Sequence, residues 1–218
     1  MSRAMLSRKA GEHALKSPRK QLLPSSTVNP VTAVLTAEQF VQTRFELADA
    51  GRWSELVTGE VVHLHPPDEA HGTTILNLSK ALASHLQAGQ AGALCFELGI
   101  VVDRDRDTLR FPAACFFRDA DRFAFADVEM TETSPDLVVE VASTSDRRAG
   151  MADRVREYHG RGICNVWVLD CIDERVHLLR RDAVAQQLER RETLRGGAAI
   201  PGFEMTVAEL FAPPEWWS

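Results

Sequence analysis

The sequence predicts a mixed α/β fold, an α+β mixed sheet with flanking helices, and three observations carry that prediction. Residues 135 to 143, PDLVVEVAS, read as a strand with Leu137, Val139 and Val141 on one face and Asp136, Val138, Glu140 and Ala142 on the other, so both faces are apolar enough to be covered. Ile75, Leu78, Leu82 and Leu86 recur at steps of three and four, the period of a helix lying on a sheet. Short strand-like runs bounded by turn residues complete the pattern, as in RWSELV and GEVVHLHPP around Thr58-Gly59. With 218 residues, 44% hydrophobic and 26% charged, the chain suffices for one sizeable core.

Each element follows in order. Residues 1 to 34 combine Arg3, Arg8, Lys9, Lys16, Arg19 and Lys20 with Pro18, Pro24 and Pro30 and no sustained apolar period, which reads as a disordered basic tail. The folded domain is expected over 35–212, with 213–218 as a C-terminal tail. Thr36 and Gln39 have capping-box spacing and open a short helix whose buried stripe is Phe40, Val41, Phe45 and Ala48. The N-terminal β-hairpin around Thr58-Gly59 ends at Pro66-Pro67. A helix runs from Ala70 to about Gln87 and stops at GQAG. LCFELGIVVD and TLRFPAACFF, joined by the charged turn RDRD, lead to the Glu140 strand. Ser145 or Asp146 caps a further helix that carries Met151 and Val155 on its apolar face and closes at Gly160 and Gly162. NVWVLD and RVHLLRR pair around CIDE, and IPGFEMTVAELF is a loop entering a short helix.

The charge balance narrows function. The formal net charge is −6 although the first twenty residues hold six basic residues against Glu12 alone, so the body is more acidic than the total suggests. An acidic body argues against broad adhesion to nucleic acid, which depends on neutralising phosphates. It is compatible with a metal-dependent nuclease, where clustered carboxylates hold cations. Cys95, Cys115, Cys164 and Cys171 form no CxxC pair, and no apolar run approaches a membrane span, so reduced thiols, a cytoplasmic location and no membrane partner are expected.

Glu140 is the residue that most demands an explanation. An ionised carboxylate buried in a sheet costs several kcal/mol unless a cation, a metal or strong donors meet it. Arg154, on the following helix, is one such partner. His63 and His65 share a strand face with His71 close behind, but no fourth ligand is spaced to make a zinc site. Tyr158 reads as a helix residue packed near Gly162 and Trp167, Asp136 as a strand-start cap, and Trp216 and Trp217 as packing residues or base-stacking platforms.

PDLVVEVAS, Arg154-Val155-Arg156-Glu157-Tyr158 and GRGICNVWVLD together resemble the Uma-two family of restriction-endonuclease-like proteins, within the PD-(D/E)XK nuclease superfamily. SELVTGEVV, PPDEAHG, LRFPAACFF and IPGFEMTVAELF extend the resemblance over residues 36 to 212 in the family's order. It implies a restriction-endonuclease-like core presenting carboxylates to Mg²⁺ or Mn²⁺, with nucleic acid, in the first place DNA, as partner, and it allows a homodimer. By this resemblance Glu140 and Glu60 are the metal-holding and catalytic carboxylates, Arg154 stands where the family has its lysine, and His71 lies near the cleft. Ala113 occupies the position of the family's second acidic residue, and alanine cannot ligate a metal. Asp119 and Asp121 lie downstream, displaced along the chain from that position. Two functions are therefore expected from the sequence: a Mg²⁺- or Mn²⁺-dependent endonuclease, or a catalytically degenerate relative that binds nucleic acid or protein.

Overall fold

The computed structural model describes residues 34–89 and 91–214. The basic tail expected over residues 1 to 34 lies outside the described residues except for Val34, and Trp216 and Trp217 lie outside them as well.

Thr36 opens α1 (Ala37–Thr43) with the capping box its spacing predicts: the Thr36 hydroxyl accepts from Gln39 N–H and the Gln39 side chain accepts from Thr36 N–H. The helix is shorter than expected. It gives way to 3₁₀ turns at Arg44–Glu46 and Ala48–Gly51, so Ala37 and Phe40 are buried while Phe45 and Ala48 are exposed. The hairpin pairs β1 (Ser54–Val57) with β2 (Glu60–His63), and Thr58 and Gly59 both take positive φ at its turn, as a two-residue hairpin loop requires. Asp68 caps α2 (Glu69–Gln87) by accepting from His71 N–H at 2.9 Å, and Leu78 and Leu82 are buried on it.

The strands that follow are β3 (Ala93–Cys95), β4 (Gly99–Asp103), β5 (Thr108–Arg110), β6 (Ala114–Phe117), β7 (Met130–Thr131) and β8 (Leu137–Val141). Next come α3 (Ser145–Gly160), β9 (Asn165–Asp170), β10 (Arg175–Arg180), β11 (Gln186–Leu188), β12 (Thr193–Arg195), β13 (Glu204–Thr206) and α4 (Val207–Leu210). Thr144, rather than Ser145 or Asp146, is the N-cap of α3, and Asp146 accepts from the N–H groups of Arg147 and His65 instead.

The fold class is the mixed α/β arrangement expected, with the strands divided over two larger sheets and a ribbon rather than gathered in one. One sheet has the order β2-β1-β5-β4-β7, the other β11-β10-β9-β8-β6-β3, and β12 pairs with β13. β8 lies inside the six-stranded sheet, antiparallel to β6 and parallel to β9, which is why its whole length is buried.

Alternation along β8 distributes the core. Leu137, Val139 and Val141 join Leu78 and Leu82 of α2 and the C-terminal residues Phe203, Met205, Val207 and Leu210 in one apolar layer. Val138 and Ala142 face the opposite layer, with Ile100 and Val102 of β4 and Tyr158 of α3. Val101 turns away from that layer and joins Leu56, Leu109, Ala37 and Phe40 under α1. The two larger sheets thus meet across the layer that also takes the inner face of α3. Among the described residues no helix is long and apolar enough to cross a membrane.

Because Leu82 is fully buried where α2 meets this sheet, Leu82→Ala should destabilise the fold by roughly 2–5 kcal/mol. Urea unfolding measures this; a loss below about 1 kcal/mol would mean that α2 does not pack as described.

Candidate active site

Three elements aim charged side chains into the layer between the sheets. Glu140 lies between Val138 and Ala142 on β8 and so points away from the α2 layer. On β1, Leu56 packs under α1, so its neighbour Glu55 faces the other way; on β5 the same holds for Leu109 and Arg110, and Leu56 pairs directly with Leu109. On α3, Arg154, Glu157 and Tyr158 are three and four residues apart and share one face.

These groups form a continuous network. Arg154 donates to Glu140 Oε1 from Nε at 3.0 Å and from Nη2 at 2.7 Å, and to Glu55 Oε2 from Nη1 at 2.5 Å. Tyr158 donates its hydroxyl to the same Glu140 Oε1 at 2.5 Å. Arg110 donates from Nη1 to Glu55 Oε2 at 2.9 Å and grips both oxygens of Glu157 at 2.7 and 2.9 Å. Phe111 N–H completes the shell of Glu55 by donating to Oε1 at 3.1 Å. Glu55, Glu140 and Arg154 are 2%, 3% and 5% exposed, so these are interior ion pairs that solvent screens little.

Burial would raise the pKa of Glu55, but Arg154, Arg110 and the Phe111 N–H outweigh it and draw the carboxyl down to about 2. Burial works against the charge on Arg154 too; Glu140 and Glu55 more than offset it and push its pKa well above the usual value. Tyr158 is pushed well above its ordinary range, first by burial and then by Glu140, and so remains a neutral donor.

One edge of the network opens into a narrow cleft of about 30 Å³, room for one or two water molecules, lined in part by Glu55, Glu140, Ala113, His71, Arg147 and Trp53. His71 Nδ1 lies 3.0 Å from Ser143 Oγ, and burial followed by the nearby Arg147 lowers the imidazole pKa to about 4, leaving it neutral at neutral pH.

The structure brings together Glu140, Arg154, Tyr158, Ala113 and His71. It does not bring Glu60 to them: Glu60 is exposed on β2, the edge strand, opposite Val57. The hairpin glutamate in the network is Glu55, whose position inside a strand between Ser54 and Leu56 was the same signal that singled out Glu140. Asp136 lies at the other end of β8, where it accepts from Arg118 N–H at 2.8 Å. The three histidines separate, His63 to Ser54, His65 to Asp146 and His71 to Ser143. Tyr158 packs in the core, but in the layer of Val138, Val166 and Val168 and not against Trp167, which faces the α2 layer, and it carries a hydrogen bond the sequence did not suggest.

The donor set does not fit a bridging divalent cation. The guanidinium of Arg154 sits between the two carboxylates a cation would join, both oxygens of Glu55 are already bonded, and Ala113 offers only a methyl group. Glu140 Oε2 alone in this network receives no hydrogen bond from the described residues. Among those residues no three His, Cys, Asp or Glu side chains converge as a metal site.

Removing the bridging cation should be costly. Arg154→Met leaves Glu140 and Glu55 underpaired in the interior and is expected to destabilise the protein by about 3–5 kcal/mol. It should also change the acid response. Because the folded-state pKa of Glu55 is depressed from 4.5 to about 2, its contribution of about 3 kcal/mol is present above pH 4.5 and is lost as pH falls towards 2. Chemical unfolding across that window should show a smaller acid loss in Arg154→Met than in wild type; equal slopes would mean that Arg154 does not hold Glu55 ionised.

Comparison with known proteins agrees with the fold. A solved structure described as a putative nuclease belonging to DUF820 from Anabaena variabilis is similar at a TM-score of 0.66 and 14% identity, over 81% of this chain and 97% of that one. At that identity the likeness speaks for the fold. No curated protein matches the chain. The model of the Uma2 family, described as "Putative restriction endonuclease", matches residues 37–208. That span takes in α1, the hairpin, both carboxylates, α3 and the start of α4, and on this match the chain belongs to the Uma2 family.

Proposed function

We propose that this chain is a nuclease-family domain whose cleft binds nucleic acid, DNA in the first place, and in which arginine has replaced the divalent metal at the carboxylate centre. One observation carries the reading: a single guanidinium, Arg154, is bonded to Glu55 and Glu140 together in the space a shared cation would need. Ala113, lining the same cleft, supports it. Phosphodiester hydrolysis by this family's route needs a cation to polarise the phosphate and to activate water. Arg154 supplies positive charge but no site for bound water, and each of its three nitrogens already donates to a carboxylate. What remains is the mouth of the cleft, against which a phosphodiester can lie without being cut.

A second reading, a Mg²⁺- or Mn²⁺-dependent endonuclease, is favoured by Glu140 Oε2, which has no donor among the described residues although Glu140 lines the cleft. It requires Arg154 to give up one carboxylate when the metal arrives.

Cleavage of supercoiled and single-stranded DNA with Mg²⁺ and Mn²⁺ separates the two. The expected result is no cleavage by wild type, with metal binding gained in Ala113→Asp combined with Arg154→Lys. Cleavage by wild type that Glu140→Ala abolishes would contradict the first reading and establish the second.

A further inference from the structure

Two arginines on the cleft have no place in the carboxylate network. Arg110 and Arg154 are each held by two glutamates, whereas the guanidinium groups of Arg52 and Arg147 meet no carboxylate among the described residues. Both instead lie over the indole of Trp53, with their guanidinium carbons 5.8 and 6.0 Å from the ring centroid. An aromatic face orients a guanidinium without neutralising it. Arg147 Nε is moreover buried and has no acceptor among the described residues.

The neighbours are consistent with an anion in that position. His71 beside Arg147 is held neutral, in part by the positive charge of Arg147, so the rim disfavours a further cation. Glu55 and Glu140 line the same cleft and are met by arginine, Glu140 through Oε1 alone; Glu97 is the exposed acid among the lining residues, and exposed Asp68 lies near His71.

We propose that Arg147 and Arg52, arrayed over Trp53 with His71 alongside, form a phosphodiester-binding rim that seats the nucleic-acid backbone at the mouth of the cleft. Guanidinium groups suit phosphate because two parallel N–H donors meet two oxygens, and the Trp53 edge offers apolar surface to the adjoining sugar and base. The inference rests on the proposal that the cleft takes nucleic acid, and it names the residues that would do so. Arg147 and Arg52 act by holding the backbone, so their contribution is independent of sequence.

Fluorescence anisotropy of a labelled single-stranded oligonucleotide, repeated over a salt series, tests it. Arg147→Ala and Arg52→Ala should each weaken binding several-fold for every sequence tried and each lower the slope of log affinity against log salt by about 0.7. Arg147→Lys should keep the slope, and Arg190→Ala, which removes a charge outside the cleft, should bind as wild type does. Neither cleft arginine is ion-paired, so melting temperatures should stay near wild type and report folding independently. Arg147→Ala that matches wild type in affinity and slope overturns the rim. Should wild type bind no oligonucleotide, the nucleic-acid reading falls, and calorimetry with pyrophosphate decides the rim alone. Binding by wild type that Arg147→Ala loses keeps the rim as an anion site, and equal heats, or none from either protein, overturn it.

Discussion

Arg154 is the constraint on which the candidate site depends. Its guanidinium spans from β8 to β1 through Glu140 and Glu55, tying both larger sheets to α3. Interior ion pairs add little net stability when compared with well-packed apolar side chains, because desolvation offsets most of the Coulomb gain. Once built, however, they are costly to break one partner at a time. The network therefore fixes geometry more than it raises stability. Its role is to determine which carboxylate oxygens can meet a ligand and which cannot.

The surrounding fold makes this arrangement possible. β8 is covered on one face by α2 and the C-terminal segment and on the other by α3 and β4, so any polar group on it must find its partners inside the protein. Glu140 finds them in Arg154 and Tyr158, one helical turn apart on α3. Glu55 finds them in Arg154, Arg110 and a backbone N–H. Glu157 closes the chain from the helix side. Three acids and two bases are thereby joined across four elements, and among the described residues the carboxylate oxygen left without a donor is Oε2 of Glu140, a residue that lines the cleft.

Much of this was legible in the sequence, and the part that was not has a physical explanation. The alternation in PDLVVEVAS was enough to identify a strand buried on both faces, and the step from residue 154 to 158 was enough to place a base and a tyrosine on one helical face. Glu60 was assigned by the resemblance, through its Gly-Glu pair, and Glu55 was passed over although it too stands inside a strand. The outcome depends on β5, which pairs with β1 and leaves β2 at the edge, a non-local contact with no local trace. The early end of α1 was hidden for a similar reason: Phe45 and Ala48 continue a helical period, yet the chain turns at Arg44 and leaves them exposed. The cation rim over Trp53 joins residues nearly a hundred positions apart and could be seen only once folded.

The central claim is that arginine occupies the place of the metal between Glu55 and Glu140. Anomalous diffraction from crystals of the wild-type protein soaked in Mn²⁺ tests it most directly. The account predicts no anomalous peak between the two carboxylates and the Arg154 guanidinium still bonded to both. A manganese peak within coordination distance of Glu55 and Glu140, with Arg154 displaced, would contradict it.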